Sequence, residues 1–162
     1  MRKHLIGVSA TLALTLVAGC GSAAGSSAGA ASSGTACVNA GAAHKAYLVV
    51  QHADGKVVNK CVGFAAAQIN GEDLMKQSGI EYQAQTFSFG KAVCQLDDEP
   101  AQFSECFPKD KPFWALYELV GGQPWVQAQT AYTQVDLKDG DALGWTYASP
   151  TASPAPPPLP AK

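Results

Sequence analysis

The chain has 162 residues, of which 47% are hydrophobic and 15% charged, and its formal net charge is −2. Its sole arginine is Arg2, so lysine supplies every other strong positive charge. Nucleic-acid-binding proteins need a basic surface, usually with arginine side chains that contact phosphate or guanine. This composition excludes that class of function.

Residues 1–19 are predicted to be a signal peptide. A basic start is followed by an apolar run from Leu5 to Val17 and by small residues. This run is shorter than the roughly 20 apolar residues that a helix needs to span a bilayer. A basic start, a short apolar run and small residues are typical of a secretion signal. The closing "VAGC" resembles a bacterial lipobox. That resemblance implies that Cys20 is diacylated and anchors the mature chain to membrane lipid, on the extracytoplasmic face of the cell membrane.

Two segments of biased composition flank the part of the chain that can fold. The segment from Cys20 to residue 36 is predicted to be a disordered, flexible tether, because residues 21–36 contain only Gly, Ser, Ala and one Thr. Residues 149–162 contain six prolines, which favours an extended, polyproline-like tail. We expect this tail to be passive rather than to bind a partner. Residues 37–148 remain, enough for one small domain.

The domain contains an even number of cysteines, which are Cys37, Cys61, Cys94 and Cys106. An exported chain enters an oxidising compartment, so we expect two disulfide bonds. Four cysteines allow three pairings, and counting does not choose among them. A metal site is not predicted, because the sequence has neither a C-x-x-C spacing nor a paired-histidine spacing.

The first half of the domain predicts a hairpin and a helix. Residues 45–52 and 56–62 are strand-like and are joined through Asp-Gly, a strong hairpin signal. A short helix is predicted over residues 71–78, with Asn70 as its N-cap and Gly79 in the left-handed position after its end. An upstream extension through Phe64–Gln68 is the weaker part of this prediction.

The second half of the domain predicts strands. A second hairpin turns around Gly90, and a third combines residues 112–120 with residues 124–135. Residues 142–148 form the last strand. We therefore expect an α+β fold, with a mostly antiparallel sheet, one short helix and two disulfides. The β-β-α start favours a small β-grasp-like domain.

Several motifs resemble those of a known family. The segments "DGKVV", "CQLDD", "FWALYELVGGQPW" and "KDGDALGWTY" together resemble the transcobalamin C-terminal-like domain, and the resemblance covers residues 45–147. This β-grasp-like domain occurs in bacterial lipoproteins and surface proteins, often of unknown function, and forms the C-terminal half of animal cobalamin carriers. The chain has no room for the helical barrel of those carriers, and Gly121-Gly122 replaces their Asn-Gly turn.

The resemblance has two consequences. It implies a small ligand, such as a vitamin or a corrinoid-like molecule, that is passed to a membrane transporter or another surface protein. It also implies that Cys94 pairs with Cys106, which leaves Cys37 for Cys61.

Aromatic residues around the third hairpin form the predicted ligand site, because aromatic rings offer stacking area and glycines allow close approach to the backbone. The predicted site consists of Trp114, Tyr117, Gly121, Gly122 and Trp125, and Trp145 and Tyr147 are further aromatic residues of interest. Trp114 and Tyr117 are three apart on a strand and should point to opposite faces. We expect one of them to be buried and the other to remain available at the surface.

Catalysis is not predicted, and no cofactor is expected. The sequence has no G-x-S-x-G, H-E-x-x-H or phosphate-binding glycine motif. Neither His44 nor His52 has an evident acidic partner in the sequence, and His52 is expected to be exposed. The acidic groups at Asp97-Asp98-Glu99 and around Asp139-Gly140-Asp141 are interpreted as solvated turns.

Two functions remain open. The first is a membrane-anchored, non-catalytic protein that binds a small molecule for a membrane partner. The second is a structural or accessory lipoprotein that contacts other proteins at the cell surface. A preformed concave pocket would favour the first, and an exposed flat apolar patch would favour the second.

Overall fold

The structure, a computed structural model, describes residues 35–162. The predicted signal peptide, Cys20 and nearly all of the predicted tether lie outside the described residues. Among the helices that are described, none is long and apolar enough to cross a membrane.

Residues 35–162 form ten strands and two short helices. In chain order they are β1 (Cys37–Val38), β2 (His44–Gln51), β3 (Val57–Phe64), β4 (Ile69–Asn70), helix α1 (Gly71–Gln77), β5 (Tyr82–Phe87), β6 (Gly90–Leu96), β7 (Phe113–Leu119), β8 (Val126–Gln127), a 3-10 helix (Tyr132–Gln134), β9 (Asp136–Leu137) and β10 (Ala142–Ala148).

The main sheet has six strands in the order β1-β3-β2-β10-β7-β8. The predicted hairpin β2–β3 is antiparallel, as are β10–β7 and β7–β8. The last strand, β10, lies parallel to β2 at the centre of the sheet. Two small ribbons, β4–β9 and β5–β6, complete the fold. The predicted α+β fold, with a mostly antiparallel sheet and one short helix, is confirmed.

The helix begins and ends where its capping residues predict. The Asn70 side chain accepts a hydrogen bond from the Glu72 backbone N–H at 2.9 Å, which satisfies one of the free donors of the first turn. Gly79 follows the helix with φ +68°, the left-handed conformation that glycine adopts at low cost. The predicted upstream extension is wrong, because Phe64 ends β3 and Ile69-Asn70 pair with β9.

The third hairpin is shorter than predicted. Only Val126 and Gln127 pair with β7, and the chain then leaves the sheet. Tyr132, in the 3-10 helix, is 1% exposed and packs in the main core. The predicted long second strand is therefore wrong, because burial of this aromatic ring in the core draws the segment away from the sheet edge.

Both disulfides implied by the family resemblance are present. Cys37 is bonded to Cys61 and Cys94 is bonded to Cys106. The first disulfide joins β1 to β3, where the two cysteines are register partners. The second closes the loop that follows β6 and holds the segment before β7 against the β5–β6 ribbon.

Both faces of the main sheet are covered. The inner face packs against α1, with Leu48, Leu143 and Trp145 in one cluster with Leu74 and Met75. The outer face carries Tyr47, Ala115, Tyr117, Leu119 and Ala142, which are also buried. Alternate residues of a strand point to opposite faces, so a strand covered on both sides reads as a continuous apolar run. The sequence "AYLVV" in β2 is such a run.

The proline-rich tail folds back on the domain instead of extending away from it. Pro157 is buried, and the backbone N–H of Ala161 donates to Asn59 Oδ1 at 3.2 Å. The Lys162 ammonium group lies 5.5 Å from the centroid of the Tyr47 ring. The tail thus covers part of the outer face, whose small and apolar residues would otherwise contact water.

Candidate functional site

The predicted aromatic site is divided between the two faces of the sheet. Trp114 belongs to the inner cluster and Tyr117 to the outer one, so the prediction of opposite faces is confirmed. Both residues are buried, at 2% and 3% exposure. The expectation that one of them would remain at the surface is wrong, because the outer face has its own cover.

Trp114 is held by one hydrogen bond and two aromatic neighbours. Its indole N–H donates to the Glu99 carbonyl oxygen at 2.8 Å. The His52 ring meets it edge-on at 5.6 Å between centroids, and the Tyr147 ring lies 4.9 Å away. The side chain is thus buried and hydrogen-bonded, and part of it lines a cavity of about 200 Å³ together with Trp145.

Gly121 and Gly122 have a conformation in the turn that favours glycine. Their φ angles are +60° and +72°, a region that other residues rarely adopt. A Cβ atom at either position would meet nothing within 4 Å. The Gly121 N–H donates to Asp141 Oδ1 at 2.8 Å, and the Lys138 N–H donates to Asp141 Oδ2 at 2.8 Å. Asp141 is buried, so the prediction of a solvated turn is wrong for this residue.

Trp125 lies on the outer face and packs against both outer clusters. Its ring passes so close to Gly144 that a Cβ atom at that glycine would lie 2.9 Å from two ring carbons. We call the surface formed by Tyr47, Tyr117, Trp125, Gly144 and Thr146 the outer groove. Of the predicted site residues, Tyr117 and Trp125 therefore share one surface, and Trp114 does not belong to it.

Three polar atoms of the outer groove are buried without a hydrogen-bond partner among the described residues. They are Tyr117 Oη, Trp125 Nε1 and Thr146 Oγ1. Burial also raises the pKa of the Tyr117 hydroxyl, because a phenolate is disfavoured away from water. Buried polar groups are usually paired, so three such groups on one surface are unusual.

His52 is buried at 7% exposure and has acidic partners, which corrects both predictions for this residue. Its Nδ1 lies 2.8 Å from Glu99 Oε2, and its Nε2 lies 3.4 Å from Asp97 Oδ2. The Lys56 ammonium group donates to Asp97 Oδ2 at 2.7 Å and lowers the pKa of that carboxyl. The cluster fastens the β2–β3 turn to the acidic turn after β6. Asp97 and Asp98 do form a turn, with positive φ angles. The turn is not simply solvated, because the carboxylates of Asp97 and Glu99 contact the His52 ring.

Four phenylalanines form a surface that the sequence analysis did not single out. The rings of Phe87 and Phe89 stack at 5.2 Å, Phe107 lies 5.7 Å from Phe87, and Phe113 lies 6.3 Å from Phe107. Phe89 is 51% exposed and Phe107 is 47% exposed. We call these four residues the phenylalanine patch.

Local structure fixes the position of this patch. Phe89 lies in the turn of the β5–β6 ribbon, where Gly90 has φ +121° and a Cβ atom would lie 2.6 Å from the Ala131 Cβ. The Gln134 side chain donates to the Phe89 carbonyl oxygen at 3.2 Å. Phe107 directly follows Cys106, so the second disulfide holds it beside the ribbon. The patch is therefore built on constrained backbone.

A cavity of about 200 Å³ lies beside the patch. The exposed rings of Phe89 and Phe107 line it together with buried Val93 and Trp145. The Trp145 indole N–H is buried and has no hydrogen-bond partner within residues 35–162. We call this cavity and its rim the phenylalanine cleft. A second, more polar cavity of about 440 Å³ is lined by the disulfide loop and Tyr147.

One sequence signal points to the patch. Phe87 and Phe89 are two apart at a ribbon end and share a face, and Gly90 follows at once. Phe103 and Phe107 flank Cys106. Aromatic residues on both partners of a disulfide-closed loop indicate that the two segments meet, although they do not reveal which rings remain exposed.

Comparison with known proteins reveals a structural similarity but no family. No family model and no curated protein matches the chain. The chain is similar to the crystal structure of a "putative metal binding protein" from Ruminococcus gnavus ATCC 29149. The sequence identity is 19%, the TM-score is 0.47, and the match covers 65% of this chain and 97% of that chain. Among residues 35–162, no three His, Cys, Asp or Glu side chains are placed to hold a metal ion.

Proposed function

We propose that this chain is a lipid-anchored, extracytoplasmic and non-catalytic binding protein that holds a small, largely apolar molecule in the phenylalanine cleft. The observation that carries this proposal is the exposure of Phe89 and Phe107, at 51% and 47%, beside an apolar cavity. Large aromatic rings left in water cost free energy unless a ligand covers them.

The size and lining of the cleft favour a ligand of one ring. An apolar cavity of about 150 Å³ is large enough for benzene in a well-studied case, and the cavity here is about 200 Å³. A whole corrinoid is far larger, so a smaller molecule is the better match. A ligand with one hydrogen-bond acceptor would also offer a partner for the Trp145 N–H.

Three features support the proposed location. The start of the sequence resembles a lipoprotein signal that ends at Cys20, and a Gly/Ser/Ala segment follows it. Both disulfides suit an oxidising compartment outside the cytoplasm. Acylation of a cysteine thiol by two chains gives stable membrane attachment. A domain on such a tether is suited to pass its ligand to a membrane transporter.

Replacing Cys20 by serine is expected to release the protein from the membrane fraction or to leave it unprocessed, because serine has no thiol to acylate. Fractionation of the host cell, followed by intact-mass measurement, checks this. A serine variant that is cleaved at the same site and stays with the membrane would contradict the lipid anchor.

The cleft is tested with protein purified from its own host. Native mass spectrometry of the wild type is expected to show an added small mass, and Phe107→Ser is expected to lose it. Val126→Ser is the matched control, because Val126 is a hydrophobic residue with 59% exposure that does not line the cavity. The wild type without added mass, or equal retention by both variants, would contradict this proposal.

A further inference from the structure

The outer groove is a shaped site in the middle of the main sheet. Gly144 of β10 is the register partner of Tyr117 on one side and of Val49 on the other. Thr146 lies two residues further along the same face, opposite Ala115. Small residues therefore form the floor of the groove, and the rings of Tyr117, Trp125 and Tyr47 stand around it.

The tail of the same chain lies in this groove. Pro157 reaches Gly144 on β10, Ala161 is hydrogen-bonded to Asn59 on β3, and Lys162 lies over Tyr47 on β2. Its residues from 157 to 162 thus cross three neighbouring strands. A cleft of that length fits an extended polypeptide better than a compact small molecule.

Gly144 explains why the tail can enter. A Cβ atom at this position would lie 2.7 Å from Pro157 Cγ and 2.9 Å from two carbons of the Trp125 ring. No side-chain carbon is found at such distances without a shift of its neighbours. The proline ring and the indole ring therefore reach the sheet surface only because the residue beneath them has no side chain.

The tail matches the groove in shape but not in hydrogen bonding. Tyr117 Oη, Trp125 Nε1 and Thr146 Oγ1 are buried there and are unpaired among the described residues. All three can donate, and proline-rich segments present carbonyl acceptors but few N–H donors. Aromatic grooves recognise such segments because the polyproline helix is already extended and loses little entropy on binding. The groove thus has the chemistry of a proline-rich-segment site, and its present occupant uses that chemistry incompletely.

We propose that the outer groove binds a proline-rich, extended segment of another protein, and that tail residues 157–162 occupy it within the chain as a competitor. Tethering gives the tail an effective concentration in the millimolar range, so it fills the groove until a better-matched segment displaces it. A segment whose carbonyl oxygens meet the three free donors would be such a ligand. This inference uses other residues than the phenylalanine cleft, so either proposal can fail alone.

The test uses the full mature chain and a labelled synthetic peptide with the sequence of residues 153–162, SPAPPPLPAK. Pro157→Asp is expected to expel the tail, because a charged side chain cannot replace the buried proline ring. Leu159→Asp is the matched control, because Leu159 is 69% exposed. By fluorescence anisotropy, Pro157→Asp should bind the peptide at least about 10-fold more tightly than the wild type or Leu159→Asp.

A second variant locates the binding. Gly144→Ala, added to Pro157→Asp, places a Cβ atom where the proline ring must lie and should weaken peptide binding by about 10-fold or more. Near-ultraviolet circular dichroism verifies that each variant is folded. The proposal is overturned if folded Pro157→Asp binds the peptide no better than the wild type, or if the added Gly144→Ala leaves the affinity unchanged.

Discussion

Replacing Trp114 by alanine is expected to lower the free energy of unfolding by about 3–5 kcal/mol. The side chain is 2% exposed, lies in the main core and donates to the Glu99 carbonyl oxygen. Alanine leaves a large cavity, which is the main cost, and it removes the indole hydrogen bond, although the Glu99 carbonyl oxygen still accepts from the Leu96 N–H at 2.9 Å. Small domains are stable by only about 5–15 kcal/mol, so urea unfolding will show a large shift of the midpoint.

Trp125→Ala is the control, because the Trp125 ring is only partly buried and rests on the outer face. We expect Trp125→Ala to lower the free energy of unfolding clearly less than Trp114→Ala does, and to weaken the packing of the tail on the outer face. If the two substitutions cost the same, or if Trp114→Ala leaves the midpoint unchanged, the assignment of Trp114 to the core is mistaken and the predicted aromatic ligand site regains support.

Replacing both Cys94 and Cys106 by serine is expected to cost about 3 kcal/mol in the chain-entropy account of a loop of this length. The disulfide also holds Phe107 beside the β5–β6 ribbon. Its removal should therefore abolish retention of any small mass in the phenylalanine cleft. Urea unfolding measures the first effect and native mass spectrometry measures the second.

The other disulfide separates stability from binding. Serine at both Cys37 and Cys61 opens a longer loop, with a sequence separation of 24 instead of 12, so the expected cost is about 3.5 kcal/mol. These cysteines lie away from the phenylalanine patch. The folded Cys37/Cys61 variant is expected to retain the small mass in the phenylalanine cleft, and the Cys94/Cys106 variant is expected to lose it. Equal retention by both would show that the second disulfide does not shape the cleft.

Short-range signals were sufficient for much of the fold. Asp54-Gly55 predicts the turn of the β2–β3 hairpin, and Asn70 and Gly79 predict the two ends of the helix. Each of these residues determines the conformation of the backbone next to it. The segment after Gln127 was predicted as a strand because its composition suits one. Its path is decided instead by Tyr132, which the core buries, and local propensity yields to that burial.

The candidate site was harder to predict because its contacts are distant in sequence. The two-residue period placed Trp114 and Tyr117 on opposite faces correctly. Burial of Tyr117 depends on Trp125 and the returning tail, whose hydrogen bond from Ala161 to Asn59 joins residues 102 apart. His52 meets Glu99 across 47 positions. The residues next to His52 and Tyr117 in the sequence do not predict these long-range contacts.

The parallel pairing of β2 with β10 bears on how the protein is made. Tyr47 and Ala142 are register partners, so the centre of the sheet needs the last strand of the chain. Until that strand emerges, the hairpin β2–β3 has an open edge and its inner residues lack their cover. Contacts between such distant segments carry a high cost in loop closure and slow folding. The central sheet can therefore close only after β10 has been synthesised, which makes the folding of this domain largely post-translational.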